Sequence, residues 1–188
     1  MPDNAYHFIT TWQVQGTVKE VTDVLGDATD LPRWWPSVYL EVKQLEPGDE
    51  NGIGRVIDLY TKGWLPYTLR WKFRVSEVNA KGYTLEANGD FVGRGIWTFE
   101  QEGDQVMAVY DWKINAEKPL LKRLSFLMKP IFSANHHWAM TRGLESLKIE
   151  LERRRATSPE ELANVPPPPP PTPSAPFKWL AYVLGFAT

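Results

Sequence analysis

The stretch SANHHWAMTRGLESLKIELERRR, residues 133–155, predicts the helix around which the rest of the chain is organised. Its inner face is predicted from spacing of three or four residues, and it comprises His137, Met140, Leu144, Leu147 and Leu151. At about 1.5 Å per residue the helix is roughly 33 Å long, which is enough to cross a small domain. Residues 6–115 carry mostly strand-like patterns. We therefore expect a curved sheet that closes around one long helix.

The strands before this helix are predicted from the alternation of apolar and polar residues. The clearest alternation occupies residues 67–78, where Leu69, Trp71 and Phe73 alternate with basic residues. Those basic residues, expected on the outer face, are Arg70, Lys72 and Arg74. A sheet with one apolar and one polar face is typical of antiparallel strands. The other predicted strands are 6–15, 38–46, 55–62, 83–88, 96–101 and 106–114.

Three further segments complete the predicted element order. Helical spacing at residues 17–25 and the proline-flanked residues 29–36 predict two short helices after the first strand. The glycines of residues 89–95, GDFVGRG, predict a tight turn with room for a bulge before the sixth strand. Residues 118–130 predict one or two connecting helical turns before the long helix.

Four short motifs occur along this order of elements. They are LPRWWP at 31–36, GWLPY at 63–67, GDFVGRG at 89–95, and Asn135-His136 followed by Met140 and Gly143. Together they resemble the helix-grip fold of the START and Bet v 1-like (SRPBCC) superfamily, and more narrowly its polyketide cyclase/dehydrase-like branch. The resemblance covers about residues 5–155. It implies an α+β fold in which a curved antiparallel seven-stranded sheet surrounds a long C-terminal helix, with two short helices after strand 1.

The character of the chain changes after Arg155. We predict a helix-grip domain at 1–155, a polar and proline-rich linker at 156–176, and an apolar C-terminal segment at 177–188. The proline run predicts a stiff polyproline II spacer of roughly 30 Å. The apolar end is too short to cross a bilayer. We favour its docking on the domain or on a second copy of the chain over contact with a membrane interface, because only Lys178 supplies charge.

Composition narrows the class of protein. The 188 residues carry a formal net charge of −2 and no obvious basic patch, which argues against nucleic acid as a partner. Cysteine is absent, so disulfides and thiol chemistry are excluded. The N-terminal residues carry no signal-peptide pattern. We expect a soluble cytoplasmic protein without a metal or another cofactor.

Aromatic residues are the main candidates for a ligand site. If the sheet curls around the helix, rings from strands and connections converge inside it and form either a solid core or an apolar pocket with a few polar groups. The candidate ligand-binding residues are Trp34, Trp35, Tyr60, Trp64, Trp71, Phe73, Phe91, Tyr110, Trp112, His137 and Met140.

Polar groups that could act on a ligand are few, and no catalytic motif is present. They are Asp58, Tyr60, Asp90, Arg94, Tyr110 and His137, although Asp90 and Arg94 could simply pair with each other. In cyclase-type relatives an arginine, tyrosine or histidine in the cavity orients a poly-carbonyl substrate. The resemblance therefore implies Arg94, Tyr110 and His137 as weak catalytic candidates, by residue type alone. His136 and His137 are adjacent and point about 100° apart on a helix, so they do not predict a shared metal site.

Three functions remain open on these observations. The leading hypothesis is binding of an apolar or aromatic small molecule, lipid- or polyketide-like, in an internal cavity. The alternative is a cyclase or dehydratase that uses general acid/base groups in the same cavity. The second alternative is a protein-interaction module that acts through the C-terminal tail and could form a homo-oligomer.

Overall fold

A seven-stranded antiparallel sheet curves around the C-terminal helix in the computed structural model. The structure describes residues 4–117 and 119–173, with only the backbone of 119–128, and residues 178, 180, 183 and 184. The strands run in the order β1-β7-β6-β5-β4-β3-β2. They are β1 Ala5–Gln15, β2 Tyr39–Glu46, β3 Val56–Lys62, β4 Thr68–Asn79, β5 Gly82–Gly89, β6 Phe91–Glu102 and β7 Gln105–Ala116.

The helices close the concave side of this sheet. They are α1 Val18–Leu25, α2 Leu31–Trp34 after a short 3-10 turn at Ala28–Asp30, α3 Pro119–Arg155 and α4 Pro159–Asn164. The chain passes from edge strand β1 through α1 and α2 to the opposite edge strand β2. The predicted α+β helix-grip fold is confirmed. None of the described helices is long and apolar enough to cross a membrane.

Strand β4 shows why the sheet has two different faces. Leu69, Trp71 and Phe73 are buried. The basic residues that alternate with them, Arg70, Lys72 and Arg74, are exposed. Side chains alternate between the faces of a strand, so the aromatic residues line the concave side. The predicted outward orientation of the basic residues is confirmed.

Ion pairs fasten both ends of the α1–α2 segment to α3. Near α1, Arg155 donates a hydrogen bond from Nε to Glu20 Oε1 over 2.7 Å. This bond, with further ones from Thr17, lowers the pKa of Glu20 to about 2. Near α2, the buried Glu150 of α3 accepts hydrogen bonds from Arg33 (2.8 and 2.6 Å) and from Arg154 (2.8 Å). The two short helices are therefore held against the long one by charge as well as by packing.

Two predicted boundaries are wrong. The long helix begins at Pro119 and continues through Pro130, so residues 119–130 belong to it rather than to a separate connection. A proline inside a helix lacks one backbone donor and disturbs the preceding turn, but here it does not end the helix.

The glycine stretch also differs from its prediction. Strand β6 begins at Phe91 rather than at residue 96, so only the start of GDFVGRG forms a turn. A Cβ atom on Gly95 would lie 2.5 Å from Tyr110 Oη and 2.8 Å from a ring carbon of Trp112. This glycine is required because rings from β7 cover its position, and not because the chain turns there.

Candidate functional site

An internal cavity lies between the concave face of the sheet and α3. Its volume is about 870 Å³ when the space at its mouth is included, and we call it the first chamber. Residues of β1, β3, β4, β6 and β7 form one wall. The opposite wall is a stripe on α3, which consists of Phe132, Asn135, His136, Ala139 and Met140. This spacing of three and four residues gives one helical face.

A second chamber of about 1110 Å³ adjoins the first and opens between α1 and the loop around Arg55. Five residues contribute to the walls of both chambers, namely Trp35, Tyr39, Trp71, Tyr110 and Met140. Side chains from the α2 connection, the sheet and α3 thus meet between the two spaces. A movement of any of these side chains would alter both volumes.

The sheet side of the cavity is a row of packed aromatic rings. Trp97 and Tyr110 are paired across β6 and β7, and their ring centroids lie 4.5 Å apart in a stacked arrangement. Tyr110 stacks on Trp112 at 5.5 Å, and Trp112 in turn contacts Trp71 at 5.6 Å. The row gives the cavity a long apolar wall, which suits an aromatic or lipid-like molecule.

Buried polar atoms without partners are found in the same cavity. Among the described residues, Tyr6 Oη, Trp35 Nε1 and His136 Nε2 are buried and have no hydrogen-bond partner. The ring of Phe8 lies next to two of them, stacking on His136 at 4.0 Å and on Tyr6 at 5.8 Å between centroids. Unsatisfied buried groups are uncommon in folded proteins and require an explanation.

Burial keeps His136, Tyr6 and Tyr110 of this cavity in their neutral forms. Burial, with a smaller contribution from the neighbouring His137, lowers the pKa of His136 to about 4. Burial also raises the pKa of Tyr110 well above its ordinary value and raises that of Tyr6. At neutral pH these groups therefore offer hydrogen bonds but no charge.

The mouth of the first chamber is built by contacts between two loops and α3. Asn135 accepts a hydrogen bond at Oδ1 from the backbone N–H of Leu65 over 3.3 Å. A Cβ atom on Gly63 would overlap with the same oxygen, so a side chain there would displace Asn135. Two of the motifs noted in the sequence, GWLPY and Asn135-His136, thus meet at the cavity.

Lys62 links this mouth to the proline-rich segment. Its side chain is buried, lines the first chamber, and donates from Nζ to the backbone carbonyls of Thr172 (2.6 Å) and Pro173 (3.1 Å). Thr172 in turn donates from Oγ1 to the carbonyl of Gly63 over 2.9 Å. Burial lowers the pKa of Lys62. Residues 166–173, predicted as a spacer, thus pack on the domain, and we call them the proline strap.

A family profile described as polyketide cyclase / dehydrase and lipid transport matches residues 7–152 of the chain. This protein belongs to that family. The resemblance inferred from the sequence motifs is confirmed. No curated protein matches the chain in sequence.

Solved structures of several other proteins have a similar fold. The aromatase/cyclase Zhui from Streptomyces sp. R1128 is 20% identical with a TM-score of 0.60, over 81% of this chain and 97% of that one. A protein from Thermus thermophilus is 13% identical with a TM-score of 0.65, over 80% and 100% of the two chains. A STAR-related lipid transfer protein fragment from Xanthomonas axonopodis is 15% identical with a TM-score of 0.50, over 77% and 85%. At these identities the likeness concerns the fold.

Most of the predicted ligand-binding residues of this family member lie in the cavity walls. Seven line one or both chambers, namely Trp35, Trp71, Phe73, Phe91, Tyr110, Trp112 and Met140. Their role in binding stays a prediction. Trp34 is buried beside α3 near Glu150, and Trp64 is half-buried, but neither is among the described residues that line the two chambers.

Other predicted polar residues face away from the cavity. Arg94 is exposed on the outer face of β6, so it is not placed to reach a ligand in either chamber. Tyr60 lies under the guanidinium group of Arg70, with 4.9 Å between Cζ and the ring centroid, and Asp58 pairs with the same arginine. Asp90 accepts a hydrogen bond from the backbone N–H of Arg70.

The predicted orientation of the two histidines is wrong. His137 is exposed, whereas His136 lines the first chamber. One residue along a helix turns the side chain by about 100°, which exchanges the inner and outer positions. The sequence interpretation also missed Tyr6, Phe8 and Lys62 as cavity residues. The alternation in residues 6–15 predicted a strand, but it did not show that Tyr6 and Phe8 of this strand line a cavity.

The described part of the chain provides no cluster of metal ligands. No group of three or more histidine, aspartate or glutamate side chains is arranged there to hold a metal ion.

The apolar segment at 177–188 lies mostly outside the described residues. Of the four residues that are described, Leu180, Val183 and Leu184 are exposed. The docking of this segment stays a prediction.

Proposed function

We propose that this protein binds an apolar or aromatic small molecule, lipid- or polyketide-like, in the first chamber. The observation that carries the proposal is a cavity between the sheet and α3 with walls of aromatic and aliphatic side chains. Ligand sites in proteins combine apolar walls with a few polar groups, and this chamber has both. The family's description, which includes lipid transport, agrees with such a role.

The mass of the freshly purified protein, measured under native and denaturing conditions, tests this proposal. We expect a releasable additional mass of a few hundred daltons, or stabilisation in a thermal-shift assay by fused aromatic compounds and fatty acids. Ala139 lines the first chamber, and Ala134 is exposed on the same helix. Ala139→Phe should reduce binding, whereas Ala134→Phe should leave it unchanged. Binding that is equal in both variants would contradict the proposed location.

A cyclase or dehydratase activity in the same cavity is the second candidate, and His136 favours it. This imidazole lies in a cavity with mostly apolar walls, its Nε2 atom is unpartnered, and burial displaces its pKa to about 4. Titratable groups with displaced pKa values in cavities are candidates for acid/base roles. The readout is consumption of a poly-carbonyl substrate by the wild-type protein and its loss in His136→Phe. Binding without turnover would support the first candidate over the second.

Action through the tail has less support than either. A tightly filled interior would have favoured it, and the interior contains two chambers instead. Oligomerisation through the tail and a cytoplasmic location stay predictions.

A further inference from the structure

The first chamber has one polar end. Tyr6, which is 9% exposed, comes from the start of edge strand β1, and His136 comes from the inner stripe of α3. The ring of Phe8 packs between these two elements and contacts both side chains. Tyr6 Oη and His136 Nε2 are therefore two unpartnered hydrogen-bonding atoms in the same part of the cavity.

The lack of protein partners for these atoms is what points to a ligand. A buried polar group without a hydrogen bond costs free energy, and an apolar side chain of the same shape would avoid that cost. Phenylalanine would keep the stacking of both rings on Phe8. A tyrosine and a histidine at these two positions are therefore not explained by packing alone, but they are explained by a bound molecule that carries an oxygen atom.

The charge of the cavity indicates which kind of oxygen. The imidazole is neutral at neutral pH, and the phenol is neutral as well. Among the described residues that line this chamber Lys62 is the cation, and its ammonium group already donates to the carbonyls of Thr172 and Pro173. A buried carboxylate needs a closely paired cation. The polar end is thus suited to an uncharged oxygen.

Building on the proposed function, we propose that Tyr6 and His136 select ligands with a neutral hydroxyl or carbonyl oxygen over hydrocarbons and carboxylates. A phenol, an alcohol or a ketone on an apolar body has this chemistry. Its oxygen would lie between Tyr6 Oη and His136 Nε2. The apolar body would extend toward Trp71 and Tyr110, where the first chamber meets the second.

Three probes of nearly equal size test the selection, namely 2-naphthol, 2-methylnaphthalene and 2-naphthoate. We expect the wild-type protein to bind 2-naphthol roughly tenfold more tightly than 2-methylnaphthalene, as the gain of two hydrogen bonds predicts, and to bind 2-naphthoate most weakly. Equal affinities for the first two would overturn the inference and leave the proposed function standing. Tightest binding of 2-naphthoate would assign selection to Lys62 instead. Failure of all three to bind would count against the proposed function itself.

Conservative variants show which side chains are responsible for the preference for 2-naphthol. Tyr6→Phe and His136→Phe should each reduce the preference for 2-naphthol several-fold and leave the affinity for 2-methylnaphthalene unchanged. Tyr83→Phe is the matched control, because Tyr83 lines the second chamber and not the first. The preference of this variant for 2-naphthol should equal that of the wild type. The ligand-free Tyr6→Phe protein should melt no lower than the wild type. A lower melting temperature would show that the hydroxyl group has a structural partner and would overturn the inference.

Discussion

Replacing Glu150 with alanine tests whether charge fastens α2 to the long helix. The Glu150 side chain is 2% exposed, and its two oxygens accept hydrogen bonds from Arg33 and Arg154. Removing one partner of a buried ion pair typically costs about 3–5 kcal/mol. Here the side chains of Arg33 and Arg154 are 48% and 36% exposed, so water can solvate them after the change. We therefore expect a loss of about 2 kcal/mol in the free energy of unfolding.

Thermal and urea denaturation measure this loss. For a chain of this size, about 2 kcal/mol lowers the melting temperature by about 4–8 °C. Glu145→Ala is the matched control, since Glu145 pairs with Arg142 on the same helix with both side chains substantially exposed. Exposed pairs contribute about 0–1 kcal/mol. Glu150→Gln keeps the shape of the side chain but removes its charge, and its melting temperature should lie between those of the wild type and Glu150→Ala.

The pH dependence separates charge from packing. Burial by itself raises the pKa of Glu150, but hydrogen bonds from Arg33 and Arg154 hold it below its ordinary value. A carboxyl group whose pKa is lower in the folded state stabilises the protein above its unfolded pKa, near 4.3, and loses this contribution as the pH falls. The difference in the free energy of unfolding between the wild type and Glu150→Ala should thus have its full size at pH 7 and become smaller below about pH 4. A melting temperature for Glu150→Ala equal to that of Glu145→Ala, or a difference that does not change with pH, would refute the reasoning.

Two further changes probe the cavity. Gly143→Ala would place a Cβ atom in overlap with Cζ2 of Trp35. The overpacking cost of about 1–3 kcal/mol exceeds the helix-propensity gain of about 1 kcal/mol, so urea denaturation should show net destabilisation. Thr141→Ala, at an exposed position of the same helix, should not destabilise the protein, and a stabilised Gly143→Ala protein would contradict the contact. Burial lowers the pKa of His136 to about 4, so the imidazole takes up a proton more readily in the unfolded chain, and the fold loses stability as the pH falls from about 6.5 toward 4. Thermal melts at both ends of that range should show a smaller pH dependence for His136→Phe than for the wild type and no such reduction for His137→Gln. Equal slopes in all three proteins would contradict this prediction.

The sheet was predictable because its pattern repeats every two residues. In β4 the alternation of Leu69, Trp71 and Phe73 with basic residues fixes both the strand and its buried face. The C-terminal half of α3 was predictable for a similar reason, since Leu147 and Leu151 are fully buried at helical spacing. In both places the inner face is apolar: on β4 it forms part of the chamber walls, and at Leu147 and Leu151 it packs against the rest of the core.

The cavity wall on α3 could not be found in this way. Where α3 faces the first chamber, the inner stripe includes Asn135, His136 and Ala139, which a search for apolar periodicity passes over. The wall on α3 carries small and polar side chains here, whereas the wall on the sheet is aromatic. The leucine spacing, extended back toward the N-terminus, therefore selected His137, and the structure turns that residue outward.

The prolines of the proline strap can take part in hydrogen bonds only as acceptors. Proline has no backbone N–H, so a run of six prolines cannot donate a hydrogen bond and offers only its carbonyl oxygens. The domain provides the donors as cations, with Arg153 at the carbonyl of Pro166 and Lys62 at those of Thr172 and Pro173. At the far end of the strap Thr172 is the exception, since its hydroxyl group donates to the carbonyl of Gly63. Lys62 and Thr172 thus hold that end together. Any rearrangement of the strap at this end would break contacts of a lysine that also lines the first chamber.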